Sequence, residues 1–234
     1  MKNKDTLKQF IIKYVNELEN DGYSGENINH PPFELTPRDY LQFAETELDK
    51  TDNIGLINCV SHIKRAMDCQ IDIFFYSYNL YNLFKRKRLG VDKKLEFLRE
   101  VGVFDSKSLS RLNAIRNRME HEFEVPKIQD IELYYDLVSA FVSILESHIL
   151  ILEIYAESSW YSTNENGPKR FSISYSLTDQ SVKVAWKTNQ GEAINLIARS
   201  TDIDEFSFFL RVFFLMSKSY VHISKNYIIS QLSI

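Results

Sequence analysis

The chain has 234 residues, 44% of them hydrophobic and 13% aromatic, with only 7 Gly and 5 Pro. It is long enough to bury a substantial core, and too poor in linker residues for a low-complexity or disordered chain. Two cysteines, Cys59 and Cys69, are too few for a disulfide framework, and MKNKDTLKQF lacks the apolar run of a secretory leader, so a cytoplasmic protein is expected.

In chain order, residues 5–19 predict a first helix, with Leu7, Phe10, Ile11, Val15 and Leu18 on one face. Residues 20–35, with Gly22, Gly25, Pro31 and Pro32, predict a loop. Thr36-Pro37-Arg38-Asp39 is a helix start, with Thr as the cap and Pro in the first helical position; that helix is expected to reach about Lys50. From Ile54 to about Lys87 the apolar residues Ile57, Val60, Ile63, Met67, Ile71, Phe74 and Tyr78 recur at three- and four-residue steps, which predicts one long helix closed by the KRKR run at 85–88. A short helix over 92–100 is expected to stop at Gly102. A further one, capped by Ser106 or Ser108, is expected to be ended by Pro126.

Residues 128–157 form the strongest helical pattern, with a near-heptad repeat from Ile131 to Ala156 and a length of about 45 Å, suited to a bundle spine or a dimer seam. Glu146, His148 and Glu153 interrupt this apolar run, and Arg211 interrupts the one near the end of the chain, so no membrane span is expected. Beyond Trp160 the period changes to two. FSISYSL, VKVAW and AINLIA, separated by turn-like segments, predict a three-stranded antiparallel meander, and a helix over about 203–220 is expected to cover its apolar face. The fold class is therefore mainly α: an antiparallel helical bundle over 1–158, and a small β-meander plus helix over 166–234.

Net charge is −4, unevenly spread. Residues 85–121 carry 11 basic and five acidic residues, so +6, while everything else sums to −10. Lys85, Arg86, Lys87, Arg88, Arg111 and Arg118 in this segment are candidate phosphate contacts; the alternative is a solvated loop.

Within that segment lies RNRMEHEFEVP, residues 116–126. On a helical projection, with Arg116 at zero, Glu120 falls at about 40°, Asn117 at about 100° and His121 at about 140°. Leu112, Ile115, Met119 and Phe123 fall between about 260° and 340°, with Leu109 at about 20°, so one side of the helix is core. A guanidinium, an amide and an imidazole thus share one arc, and these groups suit phosphodiester cleavage in RNA. The imidazole can move a proton near neutral pH, the guanidinium can bind the charged phosphorane, and the amide can orient either. The alternative is a surface ion pair between Arg116 and Glu120, with His121 as a helix cap.

Together, Arg116-Asn117-Arg118-Met119-Glu120-His121, the amphipathic helix that carries it, the basic loop and the long helix that follows resemble the HEPN superfamily over roughly residues 37–158. Its members are small helical bundles with an Arg-polar-x-x-x-His motif. The resemblance implies a metal-independent endoribonuclease without a cofactor. It also implies a homodimer in which the arginines and histidines of both protomers meet in one cleft. Such domains occur as toxins of toxin–antitoxin pairs and in phage defence, so an antitoxin or regulatory protein is a candidate further partner. One toxin subgroup carries a tyrosine two residues after the histidine; Phe123 stands there in this chain. A non-catalytic RNA- or protein-binding or oligomerisation module is the alternative, since fold does not secure chemistry.

Cys59, His62 and Cys69 lack a fourth ligand at zinc-site spacing, so no metal site is expected. His30, His148 and His222 read as structural. The aromatic run Ile73-Phe74-Phe75-Tyr76 and the pair Tyr134-Tyr135 read as core or interface.

Overall fold

The computed structural model describes residues 3–50, 52–86, 90–105, 107–125, 127–219 and 223–232, without the side chains of Arg86, Lys107, Ser110, Asn113, Arg116, Glu120 and Ile128. Among these residues are nine α-helices and one five-stranded sheet.

Helix α1 (Asn3–Tyr14) buries Leu7, Phe10 and Ile11, then tightens into a 3₁₀ turn over Val15–Glu17. The chain next becomes strand β1 (Leu18–Ser24), where a longer helix and a loop were expected. Only Leu18 of that strand is buried, so its sequence carries no alternating apolar signal. Helix α2 (Pro37–Leu48) begins as predicted: the Thr36 hydroxyl accepts from the Asp39 N–H, and the Asp39 carboxylate accepts from the Thr36 N–H at 2.7 Å, a reciprocal capping box.

Helix α3 (Asn53–Ser77) packs along α2 and along helix α7 (Ile128–Tyr155). The expected single helix to Lys87 is broken. Asn79 adopts a left-handed φ of +53°, the Leu80 N–H reaches the Phe75 carbonyl at 2.7 Å, and the Asn79 N–H reaches that of Tyr76 at 2.9 Å. This is a Schellman closure with asparagine in the left-handed position. The chain restarts as the short helix α4 (Tyr81–Arg86). Helix α5 (Val91–Glu100) ends in the same motif at Gly102, φ +73°. Helix α6 (Lys107–His121) follows. Ser108 lies inside α6 and is not its cap, and Ser106 falls outside the described residues.

The sheet continues with β2 (Glu157–Ser162), β3 (Arg170–Ser176), β4 (Ser181–Lys187) and β5 (Ala193–Arg199), all antiparallel in the order β1-β2-β3-β4-β5. The predicted meander is β3–β5, widened by β2 and by the N-terminal β1. Phe171, Ile173 and Tyr175 alternate inward on β3, and Val182, Val184 and Trp186 on β4. Phe10 of α1 stacks on Phe171 and Trp186, with ring centres 5.1 and 4.3 Å apart. Residues 3–24 thus pack with the sheet. Gly25 then crosses the end of α7 so closely that a Cβ there would overlap the Glu153 carbonyl.

Helix α8 (Ile203–Lys218) is buried almost all round, from Phe206 to Ser217, as a helix apolar on every side must be. One side meets the sheet, where Tyr175 lies against Phe206 and Phe213. The other meets the bundle, where Phe214 lies against Tyr78 and His148. Helix α9 (Lys225–Leu232), which the sequence did not predict, closes the far side against α1 and α8. Two buried hydroxyls tie the layers together: Tyr78 donates to the His148 carbonyl at 2.6 Å, and Tyr175 to the Tyr78 carbonyl at 2.7 Å.

Residues Gln129–Tyr155 of α7 are long and apolar enough to cross a membrane by length and composition, despite the charges at Glu146 and Glu153. In this fold one side of that helix, through Val138, Phe141, Val142, Leu145 and Leu152, is bundle core.

Candidate functional site

Helix α6 turns Leu109 and Leu112 into the core and keeps Ile115 and Met119 half-buried, so the predicted apolar side is present as far as Met119. Asn117 and His121 are both exposed, one turn apart. Arg116 and Glu120 lie on the same helix, with their side chains outside the description.

Two expectations change at the end of α6. The helix stops at His121, five residues before Pro126, which is outside the described residues. Glu122 still closes a turn through its N–H to the Arg118 carbonyl at 2.8 Å, but Phe123 takes a left-handed φ of +58°. Phe123 therefore leaves the helical projection and, instead of joining the core, is 87% exposed. His121 is the last helical residue, so it lies at the negative end of the helix dipole.

The same turn creates a cavity of about 290 Å³ between the end of α6 and the start of α7, lined by Ile115, Arg118, Glu124, Val125, Lys127 and Asp130. Arg118 donates from Nε to the Glu124 carboxylate at 3.1 Å. Sequence reasoning missed Glu124, Lys127 and Asp130, because the projection assumed a continuing helix. Tyr134, nearly buried on α7, belongs to this cluster: burial, then Asp130, pushes its phenol above the usual range, while Arg111 and Arg118 pull it down. The cavity takes in Arg118 but not Asn117 or His121.

The basic segment is partly neutralised by its neighbours. Lys93 pairs with Glu96 at 2.6 Å and Lys94 with Asp72 at 2.5 Å. Lys85 and Arg111 are exposed and, among the described residues, without an ion pair; the Lys85 ammonium sits 5.6 Å from the centre of the Tyr81 ring. Arg86 ends α4 with its side chain outside the description, and Lys87 and Arg88 lie outside the described residues.

Of the aromatic run, Phe74 and Phe75 are fully buried and Tyr76 is half-buried. Cys59 is buried and Cys69 half-buried, and burial pushes their thiols up to about 12 and about 11. Among the described residues, no three His, Cys, Asp or Glu side chains converge on a point that could hold a metal ion. Comparison with family models, curated proteins and solved structures finds no match for this chain.

Proposed function

We propose that this chain is a metal-independent endoribonuclease of the HEPN type, acting in the cytoplasm as a homodimer. The observation that carries the reading is the placement of Asn117 and His121, both solvent-exposed and one turn apart at the end of the helix that also holds Arg116 and Glu120. In this reading a neutral His121 imidazole takes the proton of a ribose 2′-hydroxyl, and the 2′-oxygen bonds to the adjacent phosphorus. The P–O5′ bond breaks, and the 5′-oxygen takes a proton from an imidazolium, the second His121 of the dimer. The products are a 2′,3′-cyclic phosphate and a 5′-hydroxyl. Arg116 binds the non-bridging oxygens as charge gathers on them. Asn117 orients the imidazole or the phosphate, and Glu120 is a supporting acceptor. Lys85, Arg86, Lys87, Arg88, Arg111 and Arg118 hold flanking phosphates. The setting that fits such an activity is a toxin–antitoxin pair or phage defence, with an antitoxin or regulatory protein as the second partner.

The test is cleavage of total RNA in excess chelator, with the ends analysed for cyclic phosphate. Wild type should cut. Arg116→Ala and His121→Ala should each lower the rate by at least about 10²-fold, the lower range for a general acid–base group, with unchanged circular dichroism. Wild-type rates in both variants would overturn the assignment.

A second reading, a non-catalytic module that binds RNA or protein, is favoured by one specific feature. On the open side of α7, Leu150 and Ile154, one turn apart, are 51 and 43% exposed, an adjacent apolar pair at the end of that helix. Retained RNA binding without cleavage would select it.

A further inference from the structure

We infer that the cavity between the end of α3, the start of α4 and the β3–β4 turn is a pocket for a single nucleobase of an unpaired RNA strand. The inference builds on the RNA reading above and adds a base-reading site to it. The cavity measures about 260 Å³, and no charged side chain lines it. Its walls carry the amides of Asn29, Asn79 and Asn82 and the phenol rings of Tyr76 and Tyr81. An amide offers an acceptor and two donors from one plane, which matches the edge of a base, and a phenol ring offers a stacking face.

Three features make this more than a surface dent. Asn79 is fixed: its left-handed backbone closes α3, and its Nδ2 donates to the Leu177 carbonyl at 2.9 Å, tying the helix end to the β3–β4 turn. That bond leaves Oδ1 without a donor among the described residues. Ser77, 1% exposed, lines the same cavity with its hydroxyl unpartnered among the described residues, so a polar group of a ligand seated there would make a hydrogen bond that the fold leaves unmade. Finally, a cation stands at the door. The Lys85 ammonium lies over the Tyr81 ring, one turn into α4, and the chain continues into the basic run. A base in an uncharged pocket with its phosphate on a neighbouring ammonium is how a single strand is held. A neutral sugar offers similar hydroxyl chemistry but has no use for the ammonium.

The pocket is separate from the motif helix. Asp130 of α7 lines one cavity with Arg118, whereas Tyr78, next to the pocket, bonds the carbonyl of His148. Eighteen residues of helix part those two levels, about 27 Å. The base held here is therefore several nucleotides from the scissile phosphate, and its identity sets which strands bind.

The experiment uses the wild-type full chain and four fluorescein-labelled 2′-O-methyl dodecamers, of A, C, G and U, which lack the nucleophile and cannot be cut. Anisotropy titrations should give one dodecamer about tenfold tighter than the weakest, within the range of one well-made amide–base pair. Asn79→Gly, which keeps the backbone conformation, and Tyr81→Ala should each reduce that preference to about twofold or less. Lys85→Ala should weaken all four alike and lower the salt dependence by about one counterion. Equal binding of the four dodecamers, no binding, or a preference that survives both pocket variants would overturn the proposal. So would displacement of the tightest dodecamer by maltohexaose at concentrations where uridine and adenosine monophosphates do not compete. Cleavage of unmodified RNA is scored separately. Cutting without base preference removes this pocket and leaves the ribonuclease reading, while base preference without cutting does the reverse.

Discussion

The imidazole of His148 is 3% exposed, and its Nδ1–H donates to the Ile144 carbonyl at 2.8 Å. That fixes the neutral tautomer and leaves Nε2 buried with no partner among the described residues. Burial, and then the Lys218 ammonium, holds the ring's pKa down to about 4. Lys218 is itself lowered by burial, so neither group welcomes a second charge nearby. In the unfolded chain a histidine takes its proton near ~6.5. Between that value and about 4 the unfolded state therefore binds a proton that the folded state refuses, and stability falls as pH falls. The integrated loss is on the order of 3 kcal/mol. Urea midpoints measured from pH 7.5 to 4.0 should decline over this window, and His148→Leu should flatten part of the decline; parallel curves for the two proteins would refute the assignment. The i, i+4 relation of Asn117 and His121 is readable from spacing, and both side chains are exposed. The Arg118–Glu124 pair is not readable, because it forms across residues that have left the helix.

Elements differ in how plainly their sequences announce them. The start of α2 is explicit, because a Thr-Pro-x-Asp pattern satisfies two otherwise unpaired N–H groups with side chains only three residues apart. Thr36→Ala removes one half of that exchange and should cost about 1 kcal/mol, with Thr36→Ser close to wild type. Thermal melting of the two variants checks this; equal melting temperatures for Ala and wild type would show that the cap contributes nothing. The break between α3 and α4 is legible only in hindsight, since an asparagine in a helical pattern is common, and what makes Asn79 a terminus is Leu80 being fully buried behind it. Strand β1 is illegible for a different reason. It is an edge strand whose Glu19 and Asp21 face solvent, which protects the edge from pairing with other chains but erases the period-two signal. Its partner β2 supplies the register from 138 residues away, as the Ser159–Asp21 hydrogen bond illustrates.

On the scale of the whole molecule, composition and periodicity foretell a helical part followed by a meander, but not how they share a core. Helix α8 decides that. Its phenylalanines face both ways, Phe206 and Phe213 toward the sheet and Phe214 toward Tyr78 and His148. Tyr78, which stacks on Phe74 in the bundle, is covered in turn by Tyr175 and Phe214 from beyond position 170. Cutting the chain at 158 would expose Tyr78, Phe97 and His148 together, and would strip Phe10 of its two stacking partners. Burying one such aromatic is worth roughly 1.5–3 kcal/mol, so losing several contacts exceeds the whole stability of an ordinary domain, about 5–15 kcal/mol, or comes close to it. The fragment 1–158 should therefore retain helical circular dichroism without a sharp thermal transition, and should bind a hydrophobic dye that the full chain does not. A cooperative melt of that fragment, with the helix content of residues 3–155 intact, would mean that the helical part folds on its own and that α8 merely docks. The motif helix α6 would then sit in an autonomous module, and any control of RNA access by the sheet would have to act through a surface rather than through a common core.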